Sequence, residues 1–223
     1  MFRIEIATLL DEKGNMDLKK MERLAMLVTN LNNSGIHPLI VSSGAIFLGS
    51  HKLKRMGMPD TLTEKQAIAA IGQAELIKYY QDCFSIFHQF VAQVLLTSDV
   101  INHPERNKNA KNTFFDLLNK NIIPVINEND SVSTDDIELD DNYPLALNVA
   151  TIVDAEYIIL KLVENGKFLL LRKGQPNNHS IVGETELIET LHEQLAKQPP
   201  EYKFNSLLFP ASVKDINNKI EIG

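Results

Sequence analysis

Two short stretches hold side chains able to do chemistry. In the first, an apolar run, Ile122–Ile126, breaks into Asn127-Glu128-Asn129-Asp130 and, after a Ser/Thr bridge, into an acidic loop from Asp135 to Asn142 that contains Asp141. Amide and carboxylate groups at such a tip can receive ammonium donors and orient a small polar molecule. An apolar strand ending in clustered Asn and Asp is also where an open α/β sheet places a ligand, outside the carboxyl ends of its strands. The same composition fits a solvated acidic turn, because Asn, Asp and Ser dominate turns. The second stretch is Ser42-Ser43-Gly44-Ala45, directly after the short apolar run His37–Val41. A strand, a small-residue turn and a helix together aim backbone N–H groups at an anion; a tight turn with no ligand is the other reading. His51 and His88 have no carboxylate or thiol partner close in sequence and read as structural or exposed. The single Cys83 permits no internal disulfide framework, and no zinc-type Cys/His spacing is present.

The elements that must position these residues are legible from periodicity. Phe2–Leu10 reads as a first strand. Asp17–Asn33 reads as a helix, with Leu18, Met21, Leu24, Ala25, Val28 and Leu31 at three- and four-residue spacing. A long helix runs from Thr63 to about Phe87, opened by a capping box at Thr63-Glu64-Lys65-Gln66, and Gly72 in its middle points to close packing against a neighbour. Cys83, Phe84 and Phe87 fit either core or an interface. Phe90–Leu96 is a strand, Pro104–Asn119 a helix, Pro144–Asp154 a short helix and Glu156–Val163 a buried strand. Asn165-Gly166 between apolar runs predicts an antiparallel hairpin joining Ile158–Val163 to Lys167–Leu171. Gly174–Asn178 is loop, Glu184–Lys197 a helix stopped by Pro199-Pro200, and Ser206–Phe209 and Lys219–Ile222 short strands. Strands and helices alternate, which predicts βαβ units: an α/β fold, an αβα sandwich around a largely parallel open sheet, with the hairpin near 158–171 as its antiparallel part.

Composition narrows the class. The 223 residues suit a single domain, 1–223, with an ordinary globular content of 44% hydrophobic and 23% charged residues. A net charge of −7 argues against nucleic acid as a partner. No apolar run reaches membrane-spanning length, and charges at Arg3, Glu5, Asp11 and Glu12 break up any signal-like core, so the expectation is a cytoplasmic protein with no membrane partner.

Several segments together are highly specific. Leu39–Ile46 (LIVSSGAI), Glu64–Ile77 (EKQAIAAIGQAELI), Val91–Val100 (VAQVLLTSDV), Asn107–Thr113 (NKNAKNT), Ile122–Val132 (IIPVINENDSV) and Asp136–Asn142 (DIELDDN) resemble the glutamate 5-kinases of the amino acid kinase family, in order and near their spacing over roughly residues 11–160. The resemblance implies phosphorylation of the L-glutamate γ-carboxylate by ATP with Mg²⁺, the first step of proline biosynthesis, in an αβα domain that forms homodimers or homotetramers. It implies glutamate contacts at Ser43, Asp130 and Asn142, supported by Gly44, Ala45, Asn127 and Asp141. Asp130 would take the α-ammonium, and Ser43 and Asn142 would donate to carboxylate oxygens.

On the phosphate side the chain departs from the family. The Lys-x-Gly-Ser/Thr-Ser loop falls on Arg3-Ile4-Glu5-Ile6-Ala7. Arg3 therefore stands at the phosphate-binding lysine, Glu5 at the glycine, and Ile6 and Ala7 at the hydroxyl donors. Tyr143 stands at the last aspartate of the family's GDND, and of the nucleotide loop only Gly166 has a counterpart, within Leu162–Phe168. The glycine-rich segment and the C-terminal RNA-binding-like domain of many members have no match. Two expectations follow: a glutamate 5-kinase with an altered ATP site, or a pseudokinase that binds glutamate or an analogue as a sensor or regulatory subunit.

Overall fold

The computed structural model describes residues 1–54, 59–132, 142–162, 166–175 and 179–196. Its strands are β1 (Phe2–Ile4), β2 (Ile40–Ser42), β3 (Val91–Leu96), β4 (Ile123–Glu128), β5 (Tyr157–Lys161), β6 (Phe168–Arg172) and β7 (His179–Val182). The helices are α1 (Leu18–Asn33), α2 (Ala45–Lys52), α3 (Leu62–Ser85), α4 (Pro104–Asn119), α5 (Tyr143–Val153) and α6 (Glu184–Ala196). Among the described residues the strands form one sheet in the order β3-β4-β2-β1-β5-β6-β7. The first five are parallel, and β6 and β7 add antiparallel at one edge.

Strand alternation divides the core in two. Phe2, Ile4, Ile40, Val125, Ile159 and Leu170 pack on one face, with Leu24 and Leu31 of α1, Leu48 of α2, Leu76 and Phe84 of α3, and Leu187 of α6. Val41, Ile126, Ile158 and Leu171 pack on the other, with Phe114 of α4 and Leu145 and Val149 of α5. Neighbouring residues of one strand point to opposite faces, so a strand covered on both sides must be apolar throughout. β4 is buried along its full length. Each fully buried Leu, Ile or Phe contributes roughly 1.5–3 kcal/mol relative to exposure. The layers are therefore αβα, as the alternation predicts.

Local chemistry sets the boundaries, and several differ from the sequence reading. β1 stops at Ile4, and Ile6–Leu9 is a 3-10 turn instead of continuing strand. The cause is Thr8, whose N–H and hydroxyl both donate to the Glu5 carbonyl, at 3.0 and 2.7 Å, and pull the chain out of the sheet. The cap of α3 is Thr61 and not Thr63: its hydroxyl accepts from Glu64 N–H at 3.3 Å, and the Glu64 carboxylate accepts from Asp60 N–H at 3.0 Å. Both residues lie in the sequence TLTE, where either threonine has an acidic or amide residue three positions on. β4 runs on to Glu128, so Asn127 belongs to the strand. β7 carries no clear apolar alternation because it is an exposed edge strand. The expected antiparallel hairpin forms, with Lys161 opposite Phe168 and Ile158 opposite Leu171. Cys83 and Phe84 are core. The expected strands at Ser206–Phe209 and Lys219–Ile222 lie outside the described residues. Among those described, no helix is long and apolar enough to cross a membrane.

The sheet has a switch point between β2 and β4. The chain leaves β2 for α2 and α3 on one face, and leaves β4 for α5 on the other. The connections diverge there and open a crevice at the carboxyl edge.

Candidate functional site

Both sequence stretches with chemistry meet at this crevice. Ser42 ends β2, and its hydroxyl accepts from the buried Tyr80 phenol of α3 at 2.9 Å. Burial raises the pKa of Tyr80, which keeps the phenol protonated as donor. Ser43 follows, half-buried, its N–H held by the Ile4 carbonyl at 3.2 Å. Gly44 is the N-cap of α2 at φ +107°, a left-handed conformation that favours glycine, and has no side chain to cap the first-turn N–H groups. Ala45 opens the helix and is buried.

Asn142 sits at the N-cap position of α5, but its side chain turns inward rather than capping. Its Nδ2 donates to the Ser42 carbonyl at 2.7 Å and to Asn127 Oδ1 at 2.8 Å. Asn127, buried at 3% exposure, in turn donates to Gln73 Oε1 of α3 at 2.7 Å. One amide chain thus ties α5, β2, β4 and α3 together across the switch point. Both donors of Asn142 are engaged, so the group it offers outward is its oxygen, whereas the sequence reading had it donating to a carboxylate. Asp130, half-buried, lies two residues beyond β4, where the chain is fixed by Asn129 N–H donating to the Leu96 carbonyl at 2.7 Å. Asp141 lies outside the described residues.

On the β1 side the surroundings are different. Arg3 is buried at 5% exposure, its guanidinium lies 5.7 Å from the Tyr143 ring centroid, and Nη1 donates to Glu5 Oε1 at 2.5 Å. Ile6 packs onto Gly44 so closely that a Cβ there would lie 2.4 Å from Ile6 Cβ. An isoleucine side chain therefore covers the turn before α2. His51 is exposed and shares a 3.2 Å contact with Asn15 Oδ1, and His88 is exposed at a left-handed φ of +54°. His51 lies near the C-terminal end of α2, away from the turn that opens it, and His88 follows α3.

Gln73 and Tyr80 were missed by sequence reasoning. Each is an unremarkable residue of a long helix, and only its place on the helix turns it toward β2 and β4. The available signal was Gly72: the tight packing it predicts brings its neighbour Gln73 alongside α2. An added Cβ at Gly72 would lie 1.7 Å from the Ala45 carbonyl oxygen.

The sequence profile described as the amino acid kinase family matches residues 8–165. The chain is 42% identical over 164 residues to the glutamate 5-kinase of Enterococcus faecalis, covering 72% of this chain and 60% of that protein. It is 40% identical over 162 residues to the glutamate 5-kinase of Clostridium perfringens, with coverages of 71% and 60%. The chain thus spans about 60% of the length of the curated relatives it matches. Among solved structures, a UMP kinase from Bacillus anthracis aligns with a TM-score of 0.47 at 17% identity, over 72% of this chain and 63% of that one.

Proposed function

The chain belongs to the amino acid kinase family, and from that premise we propose that it binds L-glutamate, or a close acidic amino acid, in the crevice between β2 and β4. The observation that carries this reading is the Asn142 amide, which joins Ser42 to Asn127 at the switch point. It leaves the Asn142 oxygen for a ligand at the carboxyl edge of the sheet, where Ser43 follows β2 and Asp130 follows β4. An amino acid has the matching parts: an ammonium for the acidic side and carboxylates for the donors.

The phosphate side supports a binding function over phosphoryl transfer. Transfer rests on positioning and charge stabilisation of the phosphates. A loop that cradles a phosphate needs free N–H groups, close backbone approach and positive charge. Here Glu5 brings a carboxylate and pairs with Arg3, and Ile6 fills the space above Gly44. These residues do not fit the triphosphate of Mg-ATP, so the chain acts as a glutamate-binding homologue, a sensor or regulatory subunit. The second reading is a competent glutamate 5-kinase, favoured by 42% identity to an enzyme of that name.

Calorimetry with L-glutamate and Mg-ATP titrated separately, beside a glutamate-dependent hydroxamate assay, decides between them. Glutamate binding with no heat from Mg-ATP and no hydroxamate is the expected result. Tight Mg-ATP binding with hydroxamate formation selects the kinase reading, and absence of glutamate binding removes both.

A further inference from the structure

The amide chain at the switch point has a direction, and one backbone group sets it. The Ser42 carbonyl can only accept, so the Asn142 atom 2.7 Å away must be nitrogen. The same nitrogen has its second hydrogen on Asn127, 2.8 Å away, so Asn127 must present its oxygen there. The nitrogen of Asn127 then faces Gln73, 2.7 Å away, and Gln73 must present its oxygen in turn. Every amide orientation follows from the first. What remains at the two ends differs in kind: Asn142 Oδ1 is an acceptor and Gln73 Nε2 carries two donors, and neither has a hydrogen-bond partner among the described residues. Gln73 is half-buried, and the glycine before it touches Ala45, the first residue of α2. Its oxygen faces Asn127 of β4, so its two donors belong to the α3 side of the crevice.

We infer that Gln73 is a ligand-binding residue of this site, the donor end of a one-way hydrogen-bond relay through Asn127 and Asn142, which takes a carboxylate of the bound amino acid at Gln73 and its ammonium at Asn142. The inference rests on the amino-acid reading above and adds to it a residue and a polarity. An amide that must donate favours a carboxylate and rejects an ammonium at its own end, because a buried donor facing a donor has no partner. The relay thus orients the ligand as well as holding it.

The test uses the full chain, with L-glutamate and glutarate as probes, the latter a dicarboxylate without the ammonium. Side-chain amide NMR follows the Gln73 NH₂ pair, identified by its loss in Gln73→Met, and calorimetry reads affinity. We expect both probes to shift the Gln73 resonances, and Gln73→Met, folded but with a lowered melting temperature because Asn127 Nδ2 loses its acceptor, to bind L-glutamate at least tenfold more weakly. Glutamate binding that leaves the Gln73 amide unmoved, or that survives Gln73→Met undiminished, overturns the inference. If glutarate shifts the amide and glutamate does not bind, the amino-acid reading fails and the donor end stands. If neither probe moves the amide, the relay carries no ligand. Should Gln73→Met fail to fold, the wild-type titration decides alone.

Discussion

Replacing Gly72 by alanine sets two effects of opposite sign against each other. In the interior of a 24-residue helix, a glycine costs about 1 kcal/mol relative to alanine, so propensity alone makes Gly72→Ala stabilising. Packing opposes it. The new Cβ would lie 1.7 Å from the Ala45 carbonyl oxygen and 2.5 Å from the Gly49 nitrogen, both backbone atoms that no side-chain rotation can move. Non-bonded carbon contacts settle at about 3.5–4.0 Å, so α2 and α3 must part by more than an ångström. Gly49 leaves no slack, because its own Cβ position lies 2.1 Å from the Ile68 carbonyl oxygen. Overpacking of this kind costs about 1–3 kcal/mol, and forced backbone movement belongs at the upper end. The expected net result is destabilisation by about 1–2 kcal/mol, taking the overpacking cost less the propensity gain. Because Ser43 and Gly44 lead directly into α2, glutamate affinity falls with it. Urea unfolding followed by circular dichroism measures the first effect and calorimetry the second. Ala70→Gly, at an exposed position of the same helix, is the control and loses about 1 kcal/mol by propensity alone. A raised urea midpoint in Gly72→Ala would refute the close approach of the two helices.

Asp130→Ala should abolish glutamate binding in calorimetry while leaving the urea midpoint in place; unchanged affinity would remove Asp130 from the site. Tyr80→Phe deletes the buried hydrogen bond to Ser42 and should lower stability by about 1 kcal/mol, read from chemical unfolding. Burial raises the Cys83 thiol pKa from 9.0 to about 11. Its contribution to stability is therefore complete below pH 9 and is lost as pH rises through 11, since the unfolded chain deprotonates first. Unfolding midpoints measured across that window should fall less steeply in Cys83→Ala than in wild type, and equal slopes would count against the buried thiol as a cause. Opening the phosphate side with Glu5→Gly and Ile6→Ser together should introduce measurable Mg-ATP binding; a double variant that folds and still gives no heat would show that the defect lies elsewhere.

The layers were legible because each buried strand must be apolar on both sides and each covering helix on one. Those demands mark Ile122–Ile126, Asp17–Asn33 and Pro104–Asn119 with patterns that need no partner to be read. The hairpin was legible for a local reason too: an Asn-Gly pair between two apolar runs favours antiparallel return of the chain whatever surrounds it. Where the reading slipped, a single hydrogen bond outweighed the pattern. Thr8 ends β1 early through the Glu5 carbonyl, and Thr61 rather than Thr63 caps α3 because its hydroxyl is the one that meets Glu64 N–H.

By itself the sequence determined the family, the αβα architecture and the candidate residues Ser43, Asp130 and Asn142. It also set Glu5, Ile6 and Ala7 after the first strand, where the resemblance leads one to expect a glycine and hydroxyls. Only the tertiary structure decided what those residues do to one another. Asn142 lies 100 positions from Ser42, and Asn127 lies 54 from Gln73; no local pattern encodes contacts at such separations. The direction of the amide chain depends on a backbone carbonyl brought alongside by parallel pairing of β2 and β4. The filling of the turn above Gly44 depends on Ile6 reaching it from a neighbouring strand end. A hydrogen bond's polarity and a cavity's absence are properties of atoms meeting in space, which the order of residues along the chain does not contain.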